Sequence, residues 1–203
     1  MGRALLVRHG ESVANARRIW QGHADFPLSE RGRAEAAAVA RAIAQTAVDG
    51  LWSSPLKRAT ATAEAIATSC SLDVLHDKRL MEVDVGQASG LTGDEVHERF
   101  PDRAAAMLEG RRFTFPDQED PVAFRARIHE ALQAILALDA TIVAVTHGGV
   151  IGSIAAGVLG IAPERAWPFS IHNCSITEVV SDHGGSLALR RLDDTCHLDG
   201  LAG

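Results

Sequence analysis

The stretch Leu5-Leu6-Val7-Arg8-His9-Gly10-Glu11-Ser12 decides how the rest of the chain is read, because an apolar run stops there at two polar residues and a glycine. Ala4 to Val7 is too brief for a helix and rich in aliphatics, which predicts a short buried strand. Gly10 then permits the tight backbone of a loop leaving that strand. Open α/β sheets bind ligands in the crevice beyond the carboxyl ends of their strands, and Arg8 and His9 would be delivered there. A guanidinium offers a fork of donors matched to phosphate or carboxylate oxygens, and an imidazole can act as nucleophile, acid, base or ligand near neutral pH. Taken alone, most such pairs are a surface arginine beside a structural histidine.

The same pattern returns late in the chain. Thr141 to Val145 is a continuous β-branched run, the mark of a central strand buried on both sides, and His147-Gly148-Gly149 follows it ahead of a helix from Val150 to Leu159. Between the two, Ser29 reads as the N-cap of a helix from Glu30 to Ala47. Leu51 to Ser54 reads as a strand broken by Pro55, and Leu56 to Cys70 as a helix. Arg58 sits in the first turn of that helix, where free amides and the dipole already attract anions. A third strand is expected near Asp73 to Leu75. Thr92 and Glu95 form a capping-box pattern opening a helix that Pro101 ends. Asp120-Pro121 starts another, whose Phe124, Ile128, Ala131, Leu132, Ile135 and Leu136 recur at helical spacing. Two weaker strands, Ser175 to Val180 and Leu187 to Leu192, are expected at the sheet edge.

Strands alternating with helices predict one α/β domain over residues 1–203, with a largely parallel sheet covered on both faces. Both His-Gly sequences fall just after an apolar strand. If those two strands are neighbours, His9 and His147 project into one crevice, and two isolated histidines become a site.

Composition narrows the function classes. The 203 residues are 46% hydrophobic and 23% charged, as in an ordinary globular protein with a good-sized core. A formal charge of −6 argues against a general nucleic-acid or anionic-membrane binder, so any phosphate site must be a local positive pocket in an acidic body. Cys70, Cys174 and Cys196 are scattered and odd in number, which points to reduced thiols in the cytoplasm rather than a disulfide framework or a zinc site. The opening residues lack the basic-then-apolar pattern of a secretory leader. The most apolar window, Ile142 to Ile161, is interrupted by Thr146-His147-Gly148-Gly149, which suits a strand, turn and buried helix better than a bilayer span.

Arg8, His9, Arg58 and His147 would surround one small anion. Phosphoryl transfer asks mainly for positioning and for charge around the equatorial oxygens, which arginines and histidines supply without a metal. His9, next to Arg8 at the strand end, is the better nucleophile candidate of the two histidines; an imidazole attacking phosphorus splits one hard displacement into two easier ones. A leaving alkoxide also needs a proton. Glu82 is the first candidate to give it and Asp84 the second, since a carboxyl beside a phosphate dianion keeps its proton more readily. Either acid taken singly could merely solvate a loop.

Leu6-Val7-Arg8-His9-Gly10-Glu11-Ser12 with Asn15, Gln21-Gly22 and Pro27-Leu28-Ser29-Glu30-Arg31-Gly32 resembles the opening of the histidine phosphatase superfamily, phosphoglycerate mutase-like branch. Ser53-Ser54-Pro55-Leu56-Lys57-Arg58-Ala59, then Glu82 with Gly86, then Thr146-His147-Gly148-Gly149 resemble its later motifs in the same order. The resemblance implies a three-layer α/β/α sandwich with a mostly parallel sheet. It implies His9 as the phosphorylated nucleophile and Glu82 as proton donor. Arg8, Arg58 and His147 would form the phosphate pocket, with Asn15 and the Gly148 amide assisting and Gln21 and Gly22 on the substrate side. No metal or other cofactor is implied. Gln87-Ala88-Ser89 departs from the family, which often shows a tryptophan and a glutamate there, so the pocket wall near Glu82 should differ. Arg111, Arg112, Phe113 and Phe115 fall in a stretch, 87–118, that could form a small cap or simply pack a loop.

The expected function is therefore a metal-independent phosphatase acting on a small phosphorylated metabolite. A phosphoglycerate mutase, with Arg17, Arg18, Arg111 and Arg112 holding a second phosphate, is the enzymatic alternative. A phospholigand-binding module that has lost turnover is the non-enzymatic one. Neither nucleic acid nor membrane is an expected partner, and a homodimer through an exposed sheet edge is compatible with the sequence.

Overall fold

The computed structural model describes residues 1–165, 169–182 and 184–201. Its centre is a six-stranded sheet of β1 (Arg3–Arg8), β2 (Gly50–Ser53), β3 (Val74–His76), β4 (Thr141–Thr146), β5 (Ile176–Ser181) and β6 (Leu187–Asp194) in the order β3-β2-β4-β1-β5-β6. The first four run parallel, and β5 and β6 are antiparallel to their neighbours. Seven helices accompany it among the described residues: α1 (Val13–Ala16), α2 (Glu30–Ile43), α3 (Lys57–Cys70), α4 (Gly93–Arg99), α5 (Asp102–Leu108), α6 (Pro121–Leu136) and α7 (Gly148–Val158).

Side-chain alternation along the two middle strands builds the layers. Ala4 and Leu6 of β1, with Ile142 and Ala144 of β4, pack on Phe124, Ile128 and Ile135 of α6 and Ile151 of α7. Leu5 and Val7, with Val143 and Val145, pack on Val39 and Ile43 of α2 and Ala63 and Ile66 of α3. A parallel sheet with helices on each face is thus apolar on both, which is why these strands read as unbroken aliphatic runs. The result is the expected three-layer sandwich. A third, smaller cluster stands apart from both: Val85, Ala88, Val96, Phe100 and Phe115, with Trp20 and Phe113 against it.

Several local expectations need correction. Ser175 to Val180 was expected at the edge, but β5 is hydrogen-bonded between β1 and β6, and its Ile176 to Val180 are all buried. The edges are β3 and β6. Pro101 does end α4, yet it also caps the start of α5, because a proline that cannot continue one helix can open the next. After Ser12 the chain makes one helical turn, α1, closed by a capping box in which Asn15 takes the place of the usual acid. Helix α2 stops at Ile43 rather than Ala47. Gly10 matters for close approach: a β-carbon there would lie 2.4 Å from the Gly32 carbonyl oxygen, and one on Gly32 would lie 1.9 Å from that of Glu11. The Arg-His-Gly loop is pressed onto the first turn of α2, backbone on backbone.

Candidate active site

β1 and β4 are parallel neighbours with Arg8 opposite Thr146, so the next residues, His9 and His147, leave the sheet side by side. The His9 amide donates to the Thr146 carbonyl at 2.9 Å, and the two rings meet edge-on with centroids 5.1 Å apart. His9 is 2% exposed and His147 0%. Nδ1 of His9 lies 2.7 Å from the Gly10 carbonyl oxygen. A carbonyl can only accept, so Nδ1 carries the proton and Nε2 is left with its lone pair. Arg58, 1% exposed, donates from Nε to that Nε2 at 3.2 Å, while its other two nitrogens donate to the carbonyls of Gly22 and Ala24. Burial, and then the charges of Arg58 and Arg8, push the His9 imidazole well below its ordinary pKa. Burial, then the neighbouring His9 and the charges of Arg58 and Arg8, hold His147 well below its ordinary value too. Both rings are therefore neutral at neutral pH.

These groups form the floor of a cavity of about 480 Å³. Arg8, His9, Asn15, Gln21, Gly22, Arg58, Glu82 and Gly149 line it, and Trp20, Val83, Val85, Phe113 and Phe115 form an apolar wall. His147 stands behind His9, its Nε2 2.8 Å from Ser54 Oγ. Its Nδ1, and Nε of Arg8, are buried without a hydrogen-bond partner. Unpaired buried polar atoms are costly, and two of them beside one cavity mark a place for oxygens of a bound group. The floor is also cationic, with two guanidinium groups and the N-terminus of α7 converging on it.

Glu82 reaches this floor and Asp84 does not. Oε2 of Glu82 accepts from the Gly149 amide at 3.1 Å and Oε1 from the Val83 amide at 2.9 Å. Asp84 turns away to cap the Gly86 amide. The approach of Glu82 depends on Gly149, because a β-carbon there would lie 2.3 Å from Oε1. Gly148, named from sequence as an assisting amide, opens α7, and a β-carbon there would lie 3.5 Å from Nε of Arg8. Asn15 accepts from the Ser12 amide and so holds the α1 turn at the cavity edge. Gly22 adopts a left-handed φ of 50° where its carbonyl meets Arg58. Of the four arginines expected around a second phosphate, Arg18, Arg111 and Arg112 line the cavity and Arg17 does not. Among the described residues no three His, Cys, Asp or Glu side chains converge to hold a metal ion, and no helix is long and apolar enough to cross a membrane.

Sequence reasoning missed what holds Glu82. Arg127 of α6 uses all five of its N–H donors: two on the Glu119 carboxylate, and three on the carbonyls of Arg79, Met81 and Glu82. His23 also reaches the Glu82 carbonyl, at 2.8 Å. An arginine on the same helix as Phe124 and Ile128, eight residues after an acid, was a visible signal that helical periodicity alone does not interpret.

Comparison with known proteins agrees with this arrangement. The profile of the histidine phosphatase superfamily (branch 1) matches residues 4–195. Phosphoserine phosphatase 1 of Hydrogenobacter thermophilus is 31% identical over 201 residues, covering 98% of this chain and 95% of that protein. A probable phosphoglycerate mutase, GpmB, of Yersinia pestis is 32% identical over 208 residues, covering 98% and 96%. The structure of a mycobacterial glucosyl-3-phosphoglycerate phosphatase complexed with VO3 superposes with a TM-score of 0.86 at 28% identity, covering 96% of this chain and all of that one.

Proposed function

Since the chain belongs to the histidine phosphatase superfamily, branch 1, we propose that it hydrolyses small phosphomonoesters through a phosphohistidine on His9. One observation carries this: the neutral His9 ring is locked with Nε2 unprotonated at the cavity floor, where it accepts from Arg58 and faces the same space as Glu82. Nε2 attacks phosphorus as the ester P–O bond breaks, and the departing alkoxide takes a proton from the Glu82 carboxyl. Glu82, now a carboxylate, takes a proton from water, whose oxygen attacks phosphorus and breaks the P–N bond. Inorganic phosphate leaves, and both residues return to their starting state. Arg8, Arg58 and the buried His147 hold the equatorial oxygens, Asn15 and the α7 amides assist, and Gln21 and Gly22 face the leaving group. No step calls on a metal, because fixed cations already supply the charge.

The segment 87–118 is read as a cap: it carries the third cluster, and Phe113, Phe115 and the Arg111–Arg112 pair line the cavity from it. The relatives named phosphoserine phosphatase and glucosyl-3-phosphoglycerate phosphatase support small carboxylated phosphoesters as the first substrates to try. Incubation of the protein with a panel of such esters should release inorganic phosphate, and [³²P]-labelled ester should mark the protein in acid-quenched samples. His9→Ala should lower turnover by about a thousandfold or more and abolish the label. Undiminished phosphate release in that variant defeats the proposal. Interconversion of two phosphoglycerates faster than phosphate release would make the protein a mutase instead.

A further inference from the structure

The proton donor sits on a segment with almost no regular structure. After one 3-10 turn ending at Leu80, residues 81–85 have no helix or strand to fix them, yet proton transfer to a leaving oxygen tolerates errors of only about half an ångström. Something outside the segment must set the position of Glu82.

The structure assigns that task to Arg127, which we propose is a positioning residue for proton transfer: from α6 it clamps the backbone carrying Glu82 so that the carboxyl meets the cavity. The inference rests on Glu82 being the proton donor. Arg127 does not line the cavity, so it acts through Glu82 and not on substrate. Its Nη1 donates to the carbonyls of Arg79 at 2.8 Å and Met81 at 2.7 Å, and its Nη2 to that of Glu82 at 2.9 Å. The clamp is itself held in plane. Nε and Nη2 form a fork onto Glu119 at 2.6 and 2.8 Å, and Glu119 is tied back to the same segment, its amide donating to the Asp84 carbonyl at 3.0 Å. A planar guanidinium bound at all five donors has one orientation, whereas an ammonium has no fork and cannot reach three carbonyls and a carboxylate together. Arg127 and Glu119 are about one-fifth exposed, so water competes poorly for these bonds. On the far side, the Gly149 amide receives the carboxyl that the clamp presents.

A general acid matters in proportion to the basicity of the leaving oxygen. Phosphoenzyme formation should therefore be timed by rapid quench with an alkyl phosphate, whose alkoxide must be protonated, and with 4-nitrophenyl phosphate, whose phenolate leaves without help. In Arg127→Lys the step should slow by about tenfold or more with the alkyl ester and by less than about threefold with the aryl ester, with KM little changed. Arg127→Lys placed on Glu82→Gln should be no slower than Glu82→Gln alone. A merely structural role would slow both esters equally, or add to Glu82→Gln; either result overturns the inference. If Glu82→Gln shows no preference between the esters, the proton-donor assignment itself fails, and the inference with it. Should Arg127→Lys not fold, Glu119→Gln, which leaves the arginine but removes its fork, must show the same split between esters; an equal loss on both rejects the clamp.

Discussion

The floor and the wall of the cavity are built in opposite ways. His9, Arg58 and His147 are at most 2% exposed, stand at the ends of neighbouring strands or in the first turn of a helix, and are fastened by hydrogen bonds to backbone carbonyls or a buried serine. The wall comes from loops that follow α1, Leu80 and α5, packs on its own small aromatic cluster, and stands beside Met107 of α5, 52% exposed. A sheet fixes atoms to tenths of an ångström, whereas short helices joined by loops can be exchanged without disturbing it. Under the proposed function, chemistry common to many esters belongs to the floor, and discrimination among leaving groups belongs to the wall.

The comparison breaks first, and hardest, at Arg58. Arg58→Ala removes a buried cation from the anion site and should lower kcat by about 10²–10³-fold on every phosphoester, large or small. A fall of less than about tenfold in steady-state assays would mean that the transferred phosphoryl group is not held on this floor. The wall should answer differently. Trp20 lines the cavity, packs edge-on against Phe115 with centroids 5.2 Å apart, and lies under the Arg103 guanidinium. Trp20→Ala should raise KM for an extended phosphoester by about tenfold, roughly 1.4 kcal/mol, and change kcat on a minimal ester by less than about twofold. Equal losses on both esters would erase the division between the two regions.

The smallest expected effect sharpens the contrast through pH. Both floor imidazoles have their pKa pushed down by burial, so the folded protein refuses protons that the unfolded chain accepts below about pH 6.5. Stability should be full above that value and fall as pH drops toward the lowered folded pKa values. His147→Asn removes one such site. Denaturant melts between about pH 5 and 6.5 should show the parent falling more steeply than the variant, by up to about 1.4 kcal/mol per pH unit. Parallel curves would show that His147 is protonated alike in both states.

The same division explains what the sequence disclosed. The floor was legible because each of its residues follows a strong local signal: an aliphatic strand before His9, a β-branched strand before His147, and a strand broken by Pro55 ahead of the helix that carries Arg58. Only the pairing of β1 with β4 had to be assumed, and the fold supplies it. The wall was poorly legible because its order comes from contacts remote in sequence. Pro101 read as a stop and hid α5, the single turn of α1 lay under a polar loop, and the aromatic cluster joins Trp20 to residues 85–115. β5 was misplaced since a short strand does not announce how many neighbours it has. Arg127 escaped for a related reason: its five hydrogen bonds go to four residues on two separate stretches, 79–82 and Glu119, and no spacing rule links them.

One consequence follows from the sheet order. The strand that delivers His9 is the first along the chain, yet both of its hydrogen-bonded neighbours, β4 and β5, lie in the last third. During synthesis it must wait, unpaired and aliphatic, until most of the polypeptide has emerged. A truncated product lacking β4 and β5 would own His9 but no reaction centre, and its orphaned edge would favour aggregation.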